Sequence, residues 1–349
     1  MRYGAAHVRG LYNVPNDGQQ FKNGCDAIWN LGLRTLKVYC TGAYLADYPL
    51  QTSWSSIPTN LTELAQTTQF AEQLSKAWDS VVFTAFTFVN NPGTVTNWWR
   101  VEPTRVKLQA EYDELYNFAV HLLTTYNDSG KRFIVQNWEG DWAFQDSFVA
   151  DSFTARRYVD YYAAFAATRQ RAISDARMAT AHRNVTILNA WECNRVLDAK
   201  DAPHRRRILT DIAKRFRPDM VSYSAYDSTI DFPGTWQPSH AEWVAVCTEK
   251  FNRALRLLQR AFPGVPIQIG EFGFPENEAT NDVPTANVAE MVEVVRDIAH
   301  ARGVDTLLYW EVFDNEAHGS YTYRGYWLRK PNNDLTIAGG KFQAYAAGG

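Results

Sequence analysis

The chain has 349 residues, 46% hydrophobic and 21% charged, which is material for one large globular domain and excludes a disordered or fibrous chain. A formal net charge of −3 argues against affinity built on phosphate neutralisation, so no nucleic-acid partner is expected. No run of about 18 apolar residues occurs and residues 1–30 show no apolar segment behind a basic start, so neither a membrane span nor a leader peptide is read here.

Along the chain a two-part unit recurs: a short run rich in β-branched and aromatic residues, then a longer helical pattern. The strand-like runs are Arg2–Arg9, Thr35–Cys40, Ser80–Val89, Arg132–Trp138, Val185–Trp191, Met220–Tyr226, Val265–Phe272 and Thr306–Phe313. Several are apolar nearly throughout, as expected of strands covered on both faces. After the second run, Asn60-Leu-Thr-Glu63 reads as a capping box. Leu115, Phe118, Ala119 and Leu122 keep helical spacing after the third, as do Val288, Met291, Val292 and Val295 after the seventh, where Pro284 suits a first helical turn. His204-Arg205-Arg206-Arg207 reads as a solvated helix face. Eight alternating units predict an α/β fold, a (β/α)₈ barrel spanning residues 1–349 as a single domain with elaborated loops. An open doubly wound sheet is the competitor, but no Gly-rich phosphate fingerprint follows the first strand.

In such a barrel, functional side chains gather at the C-terminal strand ends. There the chain places Gln136-Asn137-Trp138-Glu139-Gly140-Asp141-Trp142, Trp191-Glu192, Tyr223-Ser224-Ala225-Tyr226-Asp227, Gly270-Glu271-Phe272-Gly273 and Tyr309-Trp310-Glu311. Carboxylates and aromatic rings on one rim suit cleavage of a glycosidic bond, which needs one carboxyl to protonate the departing oxygen and another to attack carbon or activate water. Glu271 ends a buried strand between two glycines, a costly place for a carboxylate without a use or a partner. Glu139 is the second candidate, with Asp141 as competitor for its role. Trp138 and Trp142 are expected to desolvate the acid and raise its pKa.

These strand ends resemble those of the retaining glycosidases of clan A, the 4/7 superfamily, over nearly the whole chain. Gly32-Leu-Arg-Thr-Leu-Lys37-Val-Tyr39 is similar to the clan's second strand, Ile269-Gly-Glu271-Phe-Gly273 to its seventh, and Tyr309-Trp310 with Phe313-Asp314-Asn315 to its eighth. Gly325-Tyr-Trp-Leu328 and Gly340-Lys-Phe-Gln-Ala-Tyr345 are similar to its closing stretch. The resemblance implies Glu139 as acid/base and Glu271 as nucleophile. It implies an oligo- or polysaccharide as substrate, with Lys37, Tyr39, Asn137, Trp138, Trp142, Glu192, Tyr223, Tyr226 and Trp310 as substrate-binding candidates. One departure stands out. The clan places Asn directly before the acid/base, whereas this chain reads Asn137-Trp138-Glu139, so either Trp138 is an inserted bulge or Asn137 has lost its contact with the sugar 2-hydroxyl. Either Tyr223 or Tyr226 is expected to orient the nucleophile.

The other signals are weaker. Trp98, Trp99, Trp142, Trp236 and Trp327 fall in expected loops and suit either sugar stacking or loop packing. Glu192 and Glu311 suit ion pairs with Lys37 or Arg34, or bonds to sugar hydroxyls. Segments 41–60 and 90–103 are expected to wall the cleft. Cys25, Cys40, Cys193 and Cys247 are widely spaced, with no C-x-x-C pair, and no H-x-H or H-E-x-x-H occurs, so no metal and no cofactor is expected. Two rival readings stay open: a sugar-binding barrel without catalysis, and an inverting enzyme pairing Asp141 or Glu192 with Glu271.

Overall fold

The computed structural model describes residues 1–348 except 94–96, 101–102, 145–152, 203–205, 231–238 and 278–283. Eight parallel strands close into a barrel in chain order: β1 (Arg2–His7), β2 (Thr35–Thr41), β3 (Ser80–Phe86), β4 (Arg132–Gln136), β5 (Thr186–Cys193), β6 (Met220–Ser224), β7 (Ile267–Phe272) and β8 (Thr306–Tyr309), with β8 pairing back onto β1. All eight strand-like runs of the sequence are strands. The parallel (β/α)₈ barrel follows from their alternation with helices such as Gln20–Asn30, Arg105–Thr125, Phe153–Ala179, His240–Ala261 and Val288–Ala301. One unit departs from the pattern. Between β5 and β6 the described residues make only the short turns Asp198–Asp201 and Ile208–Ile212.

Two local expectations change in detail. Asn60 caps the helix Leu61–Gln66 by accepting from Glu63 N at 2.9 Å, but Glu63 turns its carboxylate to Thr59 N and Oγ1, so the box is only half made. The basic run is not a solvated face. Arg207 is buried on Asp198 at 2.8 Å and Arg206 pairs with Asp211 at 2.7 Å, because the short β5–β6 connection folds back on itself; His204 and Arg205 lie outside the described residues. All four cysteines are buried free thiols.

Strand alternation sorts the barrel interior by height. Val82, Ile134, Ala190, Met220 and Leu308 form an apolar floor. Above it lies a polar layer of Lys37, Gln136, Glu192, Ser222 and Gln268, closed by side-chain hydrogen bonds from Gln268 to Gln136 (2.8 Å) and from Gln136 to Glu192 (2.9 Å). Tyr39, Trp310 and Tyr326 sit over it with Ala6 and Val8.

β7 breaks the alternation. Gln268 points inward, so strict period two sends Glu271 outward, onto the helices. The register slips on both edges of the strand: Tyr223 pairs with Ile269 but Ser224 with Glu271, and Ile269 pairs with Leu307 but Phe272 with Tyr309. The extra residue turns Glu271 to the barrel mouth, an ordinary use of a bulge. Gly270 makes this possible. A Cβ there would meet Ser222 Oγ at 2.0 Å and Glu192 Oε1 at 2.6 Å, both fixed in the polar layer. Gly270→Ala is therefore expected to destabilise the fold by about 1–3 kcal/mol through overpacking, read as a lowered midpoint of chemical denaturation. An unchanged midpoint would show that the layer yields freely.

Candidate active site

At the C-terminal mouth a cavity of about 240 Å³ is lined by Trp138, Glu139 and Trp142 after β4, Tyr226 after β6, Glu271 of β7, and Trp310, Glu316, Arg324 and Tyr326 after β8. The two acids named from sequence thus meet in one cavity, 132 positions apart in the chain. Ser224 Oγ, at the end of β6, lies 2.6 Å from Glu139 Oε1 and 3.4 Å from Glu271 Oε2. Glu139 takes an unusual backbone conformation, φ +24°, and its N–H donates to Glu192 Oε2 at 2.9 Å. Backbone in this region is uncommon outside glycine and persists where the surroundings enforce it.

Lys37 is the cation under the pair. Its ammonium has three protons and three acceptors: Glu271 Oε1 at 2.7 Å, the Gly270 carbonyl at 3.1 Å and Glu192 Oε1 at 3.3 Å. Burial alone would lower its pKa, but the facing carboxylates Glu192 and Glu271 raise it, so it stays charged. Burial pushes Glu271 up to about 7, with Lys37 pulling against that rise. Glu139 is raised well above the carboxylate range by burial first and by the charge of Glu271 second. Lys37 hydrogen-bonds Glu271 and not Glu139, which favours the ionised form at Glu271.

The structure places the other sequence candidates unequally. Trp138, 42% exposed, Trp142, Tyr226 and Trp310 line the cavity. Tyr39 is buried beside Trp310 and is not among the residues lining the cavity. Tyr223 points out of the barrel by alternation, onto Phe251 and Ser228, while Tyr226 faces Glu271, which separates the two tyrosines left open above. Asn137 is turned away from the cavity: its Oδ1 accepts from Glu192 N at 2.8 Å, crosslinking β4 to β5. Trp138 follows as the residue projecting into the opening.

Glu192 is spent inside the barrel. Lys37, Gln136 and Ser222 donate to Oε1 and the Glu139 amide to Oε2, and the residue is fully buried. Four donors, three on Oε1 and one on Oε2, hold this carboxylate inside the barrel, and it does not line the cavity. Asp141 is likewise committed, accepting from Ile208 N at 2.7 Å, Asn194 N at 2.9 Å and Arg195 N at 3.1 Å. Glu311 accepts from Val8 N rather than pairing with Arg34, which stacks on Trp29 away from the mouth.

Trp98 and Trp99 pack on Phe165 and Tyr162, and Trp327 on Tyr12 and Tyr323, so these three are loop packing. Trp236 lies outside the described residues. None of the described residues of segments 41–60 and 90–103 lines this cavity; its described walls come from β7 and from the loops after β4, β6 and β8. Ser224, Glu316, Arg324 and Tyr326 went unmarked in the sequence. Inward parity on β6 was the available signal for Ser224, whereas the other three sit in a loop with no periodicity to read. No cluster of metal-ligating side chains occurs among the described residues.

No protein-family model matches the chain, and no curated protein matches it by sequence. Solved structures do. A GH5_18 from Bifidobacterium longum subsp. infantis superimposes with a TM-score of 0.63 at 15% identity, covering 100% of this chain and 79% of the other. The chain shares that barrel. An exo-beta-1,4-mannosidase from Opitutaceae bacterium strain TAV5 gives 0.65 at 11% identity, covering 100% and 59%. A family 5 xyloglucanase from Paenibacillus pabuli gives 0.55 at 13% identity, covering 99% and 97%.

Asp141 fastens the β4 loop to the connection after β5, so Asp141→Asn is expected to cost about 1–3 kcal/mol by setting an amide donor against buried backbone N–H groups. Urea unfolding measures this. Undiminished stability would release Asp141 from its structural role.

Proposed function

We propose that the protein is a retaining glycoside hydrolase, acting without a cofactor on an oligo- or polysaccharide, with Glu139 as acid/base and Glu271 as nucleophile. The separation of the two acids carries the reading. Oxygens 2.6 and 3.4 Å from one hydroxyl are no further apart than the sum of those lengths, about 6 Å, which is compatible with the roughly 5–5.5 Å carboxyl spacing of retaining enzymes.

In the first step Glu139 gives its proton to the glycosidic oxygen as Glu271 Oε attacks the anomeric carbon; the carbon–oxygen bond breaks and the leaving sugar departs as an alcohol. In the second, Glu139, now a carboxylate, takes a proton from water as that water attacks the anomeric carbon and frees Glu271. The high pKa of Glu139 suits it to hold the first proton, and Lys37 suits Glu271 to attack as an anion. Trp138 and Trp142 from the β4 loop and Trp310 and Tyr326 from the β8 loop line the same cavity, which gives sugar rings aromatic faces to stack on.

Neither rival partner for Glu271 is free: Asp141 and Glu192 already accept three and four hydrogen bonds. The structural neighbours guide the first substrates. One is a mannosidase, one a xyloglucanase, and one was solved with Manb1-4GlcNAc, so β-mannosides and β-glucans head the screen. On a cleaved substrate, proton NMR of the first-formed product is expected to show the anomer of the substrate, and Glu271→Gln to lose turnover by about 10⁴-fold or more while still binding. The opposite anomer, or a Gln variant of near-normal activity, contradicts the assignment.

A further inference from the structure

The two acids of the cavity share one neighbour and differ in another. Ser224 Oγ stands between them, 2.6 Å from Glu139 and 3.4 Å from Glu271, and it is fully buried. A hydroxyl has one proton to give and lone pairs to accept with. With both acids ionised it serves only one of them. With one proton shared, a continuous chain forms: the protonated acid donates to Ser224, and Ser224 donates to the ionised acid. That chain runs equally well in either direction. Lys37, 2.7 Å from Glu271 and absent from the hydrogen bonds of Glu139, removes the symmetry.

We infer that Ser224 is a positioning residue for the reaction proposed above: it relays one hydrogen-bonded proton between Glu139 and Glu271, and Lys37 sets the direction, so that the resting site holds Glu139 as acid and Glu271 as carboxylate. Two features support this beyond the distances. Ser224 faces Glu271 only because β7 slips its register there, pairing Ser224 directly with Glu271. Glu192 ties the two ends together, accepting from Lys37 on one oxygen and from the Glu139 amide on the other, so that the cation and the acid are held at fixed spacing. The other titratable groups facing the pair are Tyr39 of β2, Tyr226 after β6, and Glu311 and Glu316 after β8, with Arg324 held by Glu316 at 3.0 Å.

The relay stabilises the singly protonated pair against both the doubly protonated and the doubly ionised pair. It therefore spreads the two apparent pKa values, which belong to the pair and not to either residue alone. Removing it narrows the gap from both sides: the lower value rises and the upper one falls.

The test is a pH titration of the Glu side-chain carboxyl carbons by ¹³C NMR on the full-length protein, with Glu139→Gln and Glu271→Gln giving the assignments. In the wild type the Glu271 signal is expected to titrate below that of Glu139. Ser224→Ala should shrink the gap by about one unit or more. Ser224→Thr should restore it, although its added methyl makes it the worse fit if packing alone mattered. The bell of kcat/KM against pH should narrow in Ser224→Ala and recover in Ser224→Thr. An unchanged gap in Ser224→Ala, failure of Thr to restore it, or Glu139 titrating first would overturn the inference. The titration needs no turnover, so a protein that splits no glycoside would sink the proposed hydrolase while leaving this result to stand or fall by itself.

Discussion

A buried ion network under the barrel mouth governs the rest of the molecule. Lys37 sits between Glu192 and Glu271 with all three side chains nearly or wholly out of solvent. Such charges are tolerable only when each is paired and its remaining hydrogen-bonding capacity is filled, and removing one member of such a set costs about 3–5 kcal/mol. The chain meets both conditions. The Lys37 ammonium has an acceptor for each proton, and Glu192 accepts four hydrogen bonds over its two oxygens. This arrangement fixes the heights of β2, β5 and β7 against one another. It also leaves Glu271 as the one carboxylate of the network that reaches the cavity. The proposed chemistry draws on that asymmetry, since a nucleophile beside a cation and an acid away from it hold different protonation states at one pH.

The network explains features that otherwise look unrelated. Gly270 lacks a side chain because Glu192 and Ser222 occupy its space. Asn137 is turned to the β5 backbone, where it grips the amide of Glu192. Glu139 takes its strained φ while Glu192 accepts from its N–H. The sequence Asn137-Trp138-Glu139 departs from the clan's Asn-Glu pair, and here the Asn acts within the scaffold while Trp138 fills the opening beside the acid.

Much of the fold was legible because a parallel barrel writes itself in repeated apolar runs, and each of the eight runs is a strand. Glu139 and Glu271 were legible as cavity residues because strand ends are where such barrels expose side chains. Parity was also readable on regular strands: Tyr223 faces out and Ser224 in by simple alternation from Met220. What failed to show was anything set by an irregularity. The slip in β7 reverses the direction of Glu271 without altering its hydropathy pattern. Glu192 and Asp141 look like any rim carboxylate until their donors are counted, and those donors come from strands and loops 30 to 155 positions away. Glu316, Arg324 and Tyr326 lie in a loop whose path follows from packing on the β8 end, which no local pattern encodes. No described residue of segments 41–60 and 90–103 lines the cavity.

The central claim is that Glu271 attacks carbon, with Glu139 as its acid/base partner across the cavity. Incubation with an activated 2-deoxy-2-fluoro glycoside of a substrate the enzyme cleaves, followed by peptide mapping in a mass spectrometer, tests it most directly, because the fluorine slows both steps while the activated leaving group speeds only the first, so a covalent sugar accumulates. The account predicts one sugar per chain, attached within the peptide that contains Glu271. An enzyme that stays active and unlabelled, or a label on Glu139, would contradict it.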